Sequence, residues 1–218
     1  MALAIAAAPP PVVCVDPGHG PRANPATEPI GPGSSTRKIK DGGGASGVVT
    51  GQREADLALD VSIRLRALLE REGLHVVMTR TTTSGPSLGN VARARTCNRA
   101  HASLMLRVHA DGSTDRSVNG THTLYPARHV GWTDDVYAPS RIAARLVQRG
   151  LVARLGSRNL GLQERADLTG FNWANVPVVL VELGFLSNPR EDRLLATPAY
   201  RARAAAGLRD GTLAFLRR

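Results

Sequence analysis

Short apolar runs alternate along the chain with longer segments in which apolar positions recur at helical spacing. Four runs are nearly continuous and rich in β-branched or aliphatic residues, as in strands buried on both faces of a sheet. They occupy residues 12–15, 74–78, 103–108 and 177–183. Residues 120–125 instead alternate between apolar and polar positions, which predicts an edge strand.

The segments between these runs predict helices. In the first helix, Leu57, Val61, Leu65 and Leu68 recur on one face, and Gly73 follows as a C-terminal cap. The predicted helices cover residues 53–72, 88–102, 140–155 and 199–216. Strands that alternate with helices predict an α/β fold: a mostly parallel, twisted sheet of about six strands, with helices on both faces.

One more helix is predicted from its start signals. Asn188 can cap its N-terminus, Pro189 suits the first helical position, and Glu191 can reach back as in a capping box.

The domain organisation follows from length and local composition. With 218 residues the chain is expected to form one catalytic domain over residues 12–218. Residues 21–51 are rich in Gly, Pro, Ser and Thr and are expected to form a long loop that borders the substrate cleft. Residues 1–11 are apolar, end in small residues and then prolines, and are expected to be the disordered tail of a secretory signal, which predicts export.

Composition excludes several classes of protein. A hydrophobic fraction of 42% with 21% charged residues is that of a globular protein and not of a disordered one. No apolar stretch approaches the roughly 20 residues that span a bilayer. The formal charge is +10, almost wholly from arginines scattered along helices, which indicates solvated helix faces more than a surface for a polyanion such as nucleic acid, anionic lipid or an acidic polymer.

The two cysteines, Cys14 and Cys97, leave two interpretations open. An isolated pair in an exported protein is often a disulfide, whereas buried free thiols are common in a cytosolic one. We predict the disulfide, since packing of the 88–102 helix on the sheet could bring the two residues together.

The candidate catalytic and metal-binding residues lie at or just after the ends of predicted strands. His19 follows the first strand, His109 ends the strand at 103–108, and Glu182 ends the run at 178–181. In open α/β sheets ligands bind beyond the carboxyl ends of the strands, and Glu54, in the first turn of a helix, can point to the same edge. Two histidines and one carboxylate that bind zinc and leave one coordination position open are typical of a catalytic zinc site, and a second Glu can then act as the general base.

Each of these residues also has a purely structural explanation. His19 could stabilise a Gly-rich turn, His109 could be a hydrogen-bonded strand-end histidine, and Glu54 could interact with the helix dipole. Glu182 is the most informative, because a carboxylate after four aliphatic residues is costly to bury without a partner. The other histidines lack such placement and are interpreted as surface or structural; they are His75, His101, His122 and His129.

Five sequence segments carry a family resemblance. They are Val13-Cys14-Val15-Asp16-Pro17-Gly18-His19-Gly20, Arg53–Leu59, Met78-Thr79-Arg80, Leu106-Arg107-Val108-His109-Ala110-Asp111 and Val179–Pro189. In this order they resemble the zinc-dependent N-acetylmuramoyl-L-alanine amidases of bacterial cell walls, the cell-separation type. The resemblance covers about residues 12–216, although residues 21–51 look like an insertion.

The resemblance implies a set of roles. His19, Glu54 and His109 would be the ligands of one Zn²⁺ per chain. Glu182 would be the catalytic carboxylate that takes a proton from water and returns it to the leaving L-alanine nitrogen. Asp16 would either orient a ligand histidine or simply end a strand.

The implied substrate is peptidoglycan or muramyl peptides, cut between N-acetylmuramic acid and L-alanine by an exported monomer in the periplasm, in the cell wall or outside the cell. No nucleic-acid partner or membrane span is expected, and the sequence leaves open whether an activator protein is needed. The alternatives are a zinc peptidase of another wall-peptide bond and a non-catalytic basic wall-binding module.

Overall fold

The structure is a computed structural model that describes residues 9–218. Its strands are β1 (Val12–Pro17), β2 (Asn24–Pro29), β3 (Arg37–Asp41), β4 (His75–Met78), β5 (Leu104–Asp111), β6 (Thr121–Pro126), β7 (Asn159–Arg165) and β8 (Val178–Phe185). Its helices are α1 (Glu54–Arg71), α2 (Asn90–Arg99), α3 (Tyr137–Leu155), α4 (Thr169–Asn172), α5 (Pro189–Leu195) and α6 (Pro198–Leu216). The predicted signal remnant at residues 1–11 falls mostly on residues 1–8, which lie outside the described residues.

Six strands form one twisted sheet in the order β4-β1-β5-β8-β6-β7. All neighbours are parallel except β6 and β8, which run antiparallel. Helices cover both faces, so the predicted fold class is confirmed. None of the helices in residues 9–218 is long and apolar enough to cross a membrane.

The core consists of one apolar cluster on each face of the sheet, because successive strand residues point to opposite sides. Val13 and Val15 pack with α1, α3 and α6 on one face. Cys14 packs on the other face with Cys97 of α2 and Phe171 of α4. The alternation therefore places both cysteines in the same cluster.

Cys14 and Cys97 form a disulfide with a Cα–Cα distance of 5.4 Å. Both residues are fully buried. The predicted pairing is thus present, and it joins the central part of β1 to the last turn of α2.

The prediction of an edge strand at residues 120–125 was wrong. β6 lies between β8 and β7 and is buried along its whole length. The true edge on this side is β7, which the sequence analysis missed because its seven residues are mostly exposed and carry no apolar run. Without β7 in the prediction, the alternation in β6 looked like that of an edge strand.

The segment at residues 21–51 is not an unstructured loop. β2 and β3 pair as an antiparallel hairpin separate from the main sheet. Buried Glu28 joins this hairpin to α2 by accepting hydrogen bonds from the Asn90 and Val91 N–H groups at 2.6 and 3.2 Å. A carboxylate at these first helical N–H groups is a favourable N-terminal partner.

The start of α5 is as predicted except for Glu191. The Asn188 side chain accepts hydrogen bonds from the Arg190 and Glu191 N–H groups, and Pro189 holds the first helical position. Glu191 does not close a capping box. Its carboxylate instead accepts hydrogen bonds from the N–H groups of Gly120, at 2.9 Å, and Phe185, at 2.7 Å.

Candidate metal centre

The ends of β1, β5 and β8 place polar side chains on one face of the sheet. These strands are parallel neighbours, and their register pairs Asp16 with Arg107 and His109 with Glu182. Because alternate residues share a face, the four side chains emerge on the side of α2 and α4. The strand register thus sets His109 directly beside Glu182.

Three candidate ligands converge at this edge. Glu54 Oε1 lies 2.8 Å from His109 Nδ1 and 3.1 Å from His19 Nε2. The potential donor atoms of the three residues all lie within 4.8 Å of one another. Two imidazoles and one carboxylate arranged in this way could hold a metal ion.

His19 reaches this position through an uncommon backbone conformation. Its φ is +55°, in the left-handed region that residues other than glycine rarely adopt. The buried Arg93 side chain on α2 stabilises the turn by donating hydrogen bonds to the carbonyl oxygens of Pro17, at 2.7 Å, and His19, at 2.5 Å. Such conformations persist where the surrounding structure enforces them, as it does here.

Gly18 explains why the turn can pass so close to the second histidine. A Cβ atom at this position would lie 2.5 Å from His109 Cε1, which is closer than carbon atoms approach. Only glycine allows the backbone to pack against the imidazole ring in this way.

Glu54 is the first residue of α1 and is 4% exposed. Its Oε2 accepts a hydrogen bond from the Ala45 N–H at 2.8 Å, and its Oε1 accepts one from the Ala110 N–H at 3.2 Å. Burial would raise the pKa of Glu54, but the hydrogen bonds and charges of His109 and His19 outweigh burial and lower that pKa well below its ordinary value. Glu54 is therefore an ionised acceptor at neutral pH.

Glu182 has the opposite electrostatic character. Burial raises its pKa well above the ordinary value, and the negative charges of Glu54 and Asp111 raise it further. Its Oε2 is buried and has no hydrogen-bond partner among the described residues. A carboxyl group placed in this way is suited to exchanging a proton with a bound molecule.

The structure does not support Asp16 as the residue that orients a histidine ring. Its carboxylate accepts hydrogen bonds from Thr79, Arg93 and Arg107 at 2.5–2.8 Å, and from neither imidazole in the described part of the chain. Burial would raise the pKa of Asp16, but the two guanidinium groups hold it well below its ordinary value. Asp16 thus stabilises the two arginines that underlie the site, one of which supports the His19 turn.

The ring contact expected of Asp16 is made instead by Asp41. Its Oδ1 lies 2.8 Å from His19 Nδ1. Sequence reasoning missed this residue because it belongs to the segment predicted as a loop, 22 positions from its partner. The only signal was the carboxylate itself, next to Gly42-Gly43-Gly44.

His122 differs from the other histidines that were interpreted as surface or structural. His75, His101 and His129 are exposed, whereas His122 is 3% exposed and pairs in register with Glu182. Its Nε2 lies 3.7 Å from Asp111 Oδ2. Its proximity to the site depends on β6 lying next to β8, which the sequence analysis did not predict.

The comparisons with known proteins agree along nearly the whole chain. The family model Amidase_3, described as N-acetylmuramoyl-L-alanine amidase, matches residues 13–213. The N-acetylmuramoyl-L-alanine amidase Rv3717 of Mycobacterium tuberculosis is 32% identical over 220 residues, covering 94% of this chain and 86% of that protein. The crystal structure of the N-acetylmuramyl-L-alanine amidase Ami1 from Mycobacterium smegmatis superposes with a TM-score of 0.86 and 27% identity, covering 94% of this chain and 96% of that one.

The match to a longer relative covers only part of that protein. The N-acetylmuramoyl-L-alanine amidase LytC of Bacillus subtilis is 28% identical over 205 residues, which cover 94% of this chain. This chain spans about a third of the length of LytC, 35%.

Proposed function

The chain belongs to the N-acetylmuramoyl-L-alanine amidase family, and we propose that it uses Zn²⁺ to hydrolyse the amide bond between the lactyl group of N-acetylmuramic acid and L-alanine in peptidoglycan. The observation that carries the proposal is the convergence of His19, Glu54 and His109 beside Glu182, whose Oε2 atom is buried. Residues 12–218 would form the single catalytic domain.

The residues present fit a zinc ion. A His₂Glu donor set is typical of catalytic zinc sites, which keep one position open for water or substrate. Glu54 Oε1 already faces one nitrogen of each imidazole, at 3.1 and 2.8 Å. Glu182, whose Oε2 has no hydrogen-bond partner within residues 9–218, adds a second carboxylate beside this group. When bound, zinc would supply Lewis-acid polarisation of the substrate carbonyl and a lowered pKa of water.

Glu182 would move the proton during hydrolysis. As the attacking water forms its C–O bond to the lactyl carbonyl carbon, Glu182 accepts the water proton. It then returns that proton to the L-alanine nitrogen as the C–N bond breaks, leaving the muramyl carboxylic acid and a peptide with a free amino terminus. A binding module without catalysis would have no use for a carboxyl group buried at this edge.

We further propose that the protein is exported and acts as a monomer on peptidoglycan or muramyl peptides. The Cys14–Cys97 disulfide supports export, since such bonds persist in oxidising compartments.

The test measures zinc content and peptide release together. Wild-type protein should contain one zinc by atomic absorption and should release peptides with free amino termini from purified peptidoglycan. Glu182→Gln should keep the zinc and the fold, because glutamine is nearly isosteric, but lose 10²–10⁴-fold in turnover, or about 3–5 kcal/mol of barrier.

Glu191→Gln is the matched control. Glu191 is a buried glutamate whose pKa is likewise raised by burial, but within residues 9–218 its side chain hydrogen-bonds only backbone N–H groups. This variant should retain turnover. Peptide release by Glu182→Gln at the wild-type rate would contradict the role of Glu182, and a wild type that releases no such peptide would overturn the proposed function.

A further inference from the structure

The segment at residues 21–51 contacts the candidate metal ligands directly near its C-terminal end. We call residues 41–45 the base segment; it begins at the last residue of β3 and leads toward α1. Asp41 is 6% exposed, and its Oδ1 contacts His19 Nδ1 at 2.8 Å. The same oxygen accepts a hydrogen bond from the Gly43 N–H at 2.8 Å, which fixes the carboxylate in place. The orientation of this carboxylate is therefore set within the base segment.

The rest of the base segment packs on the second ligand. The Ala45 N–H donates a hydrogen bond to Glu54 Oε2 at 2.8 Å and leaves Oε1 directed at the imidazoles. Gly44 has a φ of +75°, and a Cβ there would lie 2.8 Å from both Glu54 Oε2 and His19 Cδ2. The backbone thus approaches both ligands as closely as glycine permits.

The contact between Asp41 and His19 determines which nitrogen of the His19 imidazole faces the candidate metal site. A carboxylate accepts hydrogen bonds, so the Nδ1–H of His19 donates a hydrogen bond to Asp41. Nε2, the nitrogen that lies 3.1 Å from Glu54 Oε1, is then the one that would offer its lone pair to a metal ion. An outer carboxylate of this kind fixes the tautomer and ring orientation of a metal-binding histidine and raises its basicity.

We propose that the segment at residues 21–51 builds part of the metal centre, with Asp41 as a positioning residue that directs His19 Nε2 to the zinc and strengthens zinc binding. This inference rests on the proposed zinc site. It assigns to this segment a role in metal retention in addition to the predicted position beside the substrate cleft.

The contacts that dock the hairpin elsewhere are separate from the base segment. Lys38 Nζ forms an ion pair with Asp167 Oδ2 at 2.9 Å, and the Trp173 indole N–H donates to the Pro29 carbonyl oxygen at 3.0 Å. The Lys38–Asp167 pair is roughly half exposed and involves none of the candidate ligands. Docking of the hairpin and support of the metal can therefore be perturbed independently.

The experiment compares zinc affinity in three variants, measured by competition with a chromogenic chelator. Asp41→Ala should bind zinc about 10–100-fold more weakly than wild type. Asp41→Asn should fall between them, because its amide oxygen can accept the hydrogen bond but carries no charge. Asp167→Ala, the matched control, loses a carboxylate that docks the hairpin and should retain wild-type affinity. Circular dichroism of each variant verifies folding, and Asp41→Asn keeps the test valid if the alanine variant unfolds.

A second readout reports on His19 itself. In zinc-loaded wild type, nitrogen-15 NMR of the imidazoles should show His19 protonated at Nδ1, and this hydrogen-bonded signal should be lost in Asp41→Ala. Wild-type zinc affinity in both Asp41 variants, or an equal loss in Asp167→Ala, would overturn the inference. A wild type without zinc would instead contradict the proposed function, so the two failures are distinguishable.

Discussion

The Cys14–Cys97 disulfide allows a quantitative prediction about stability. It joins positions 83 residues apart and lies in the core next to the site. Cys14 is two residues before Asp16 on β1, and Cys97 is one helical turn after Arg93 on α2. The bond therefore braces the contact between β1 and α2 through which Arg93 supports the His19 turn.

The size of the effect follows from the length of the closed loop. In the chain-entropy model a loop of this length lowers the entropy of the unfolded chain enough to stabilise the folded state by about 4.5 kcal/mol. For a protein of this size, each kcal/mol shifts the melting temperature by about 2–4 °C, so reduction should lower it by about 9–18 °C. Because both cysteines are fully buried, a reductant should act on the bond only after the protein opens.

The assay is urea denaturation of three proteins: oxidised wild type, wild type refolded under reducing conditions, and the Cys14→Ala/Cys97→Ala variant. The difference in unfolding free energy between oxidised and reduced wild type measures the contribution of the crosslink. The difference between reduced wild type and the double alanine variant measures the contribution of the packing of the sulfur atoms. The slope of the transition should also be smaller for the oxidised protein, since its crosslinked unfolded state exposes less surface. An unchanged midpoint on reduction would refute the loop-entropy reasoning, and two titratable thiols in the purified protein would refute the bond.

Two further predictions concern the site. Asp16→Asn should lose about 3–5 kcal/mol of unfolding free energy at pH 7, because it leaves the buried Arg93 and Arg107 without their carboxylate. The folded protein holds the pKa of Asp16 below its ordinary value of 3.8. The difference in unfolding free energy between wild type and Asp16→Asn should therefore have its full size above about pH 4 and disappear at lower pH, as measured by denaturation at several pH values. His109→Ala should abolish stoichiometric zinc while exposed His75→Ala retains it, and zinc in the former by atomic absorption would contradict the ligand assignment.

The spacing of apolar residues predicted most of the helices and strands, because the residues that one face of a helix or strand buries recur at a regular interval along the sequence. The apolar run that ends at Glu182 and the helical spacing from Leu57 to Leu68 both mark elements of the structure. β7 was not predicted because an exposed edge strand needs no apolar run. Since β7 was missing from the prediction, β6 was wrongly expected at the edge of the sheet. The hairpin at residues 24–41 escaped for a similar reason: it is held by polar contacts to α2 and α4.

The candidate site divides in the same way. Its inner residues follow strand ends, and parallel strands bring their ends to one edge whatever the side chains are. His19, His109 and Glu182 could therefore be proposed from sequence order alone, and the structure brings His19 and His109 together with Glu54. Their roles in binding zinc and in catalysis stay predictions for the experiments above.

Local spacing along the chain was enough to predict the fold class, most of the helices and strands, and the residues that lie at the carboxyl edge of the sheet. Which polar groups support those residues depends on the tertiary structure. Asp41 contacts His19, Arg93 holds the His19 carbonyl, and Glu191 binds backbone N–H groups instead of capping its own helix. A hydrogen bond between distant segments depends on distance and direction in three dimensions, and neither leaves a periodic trace along the chain.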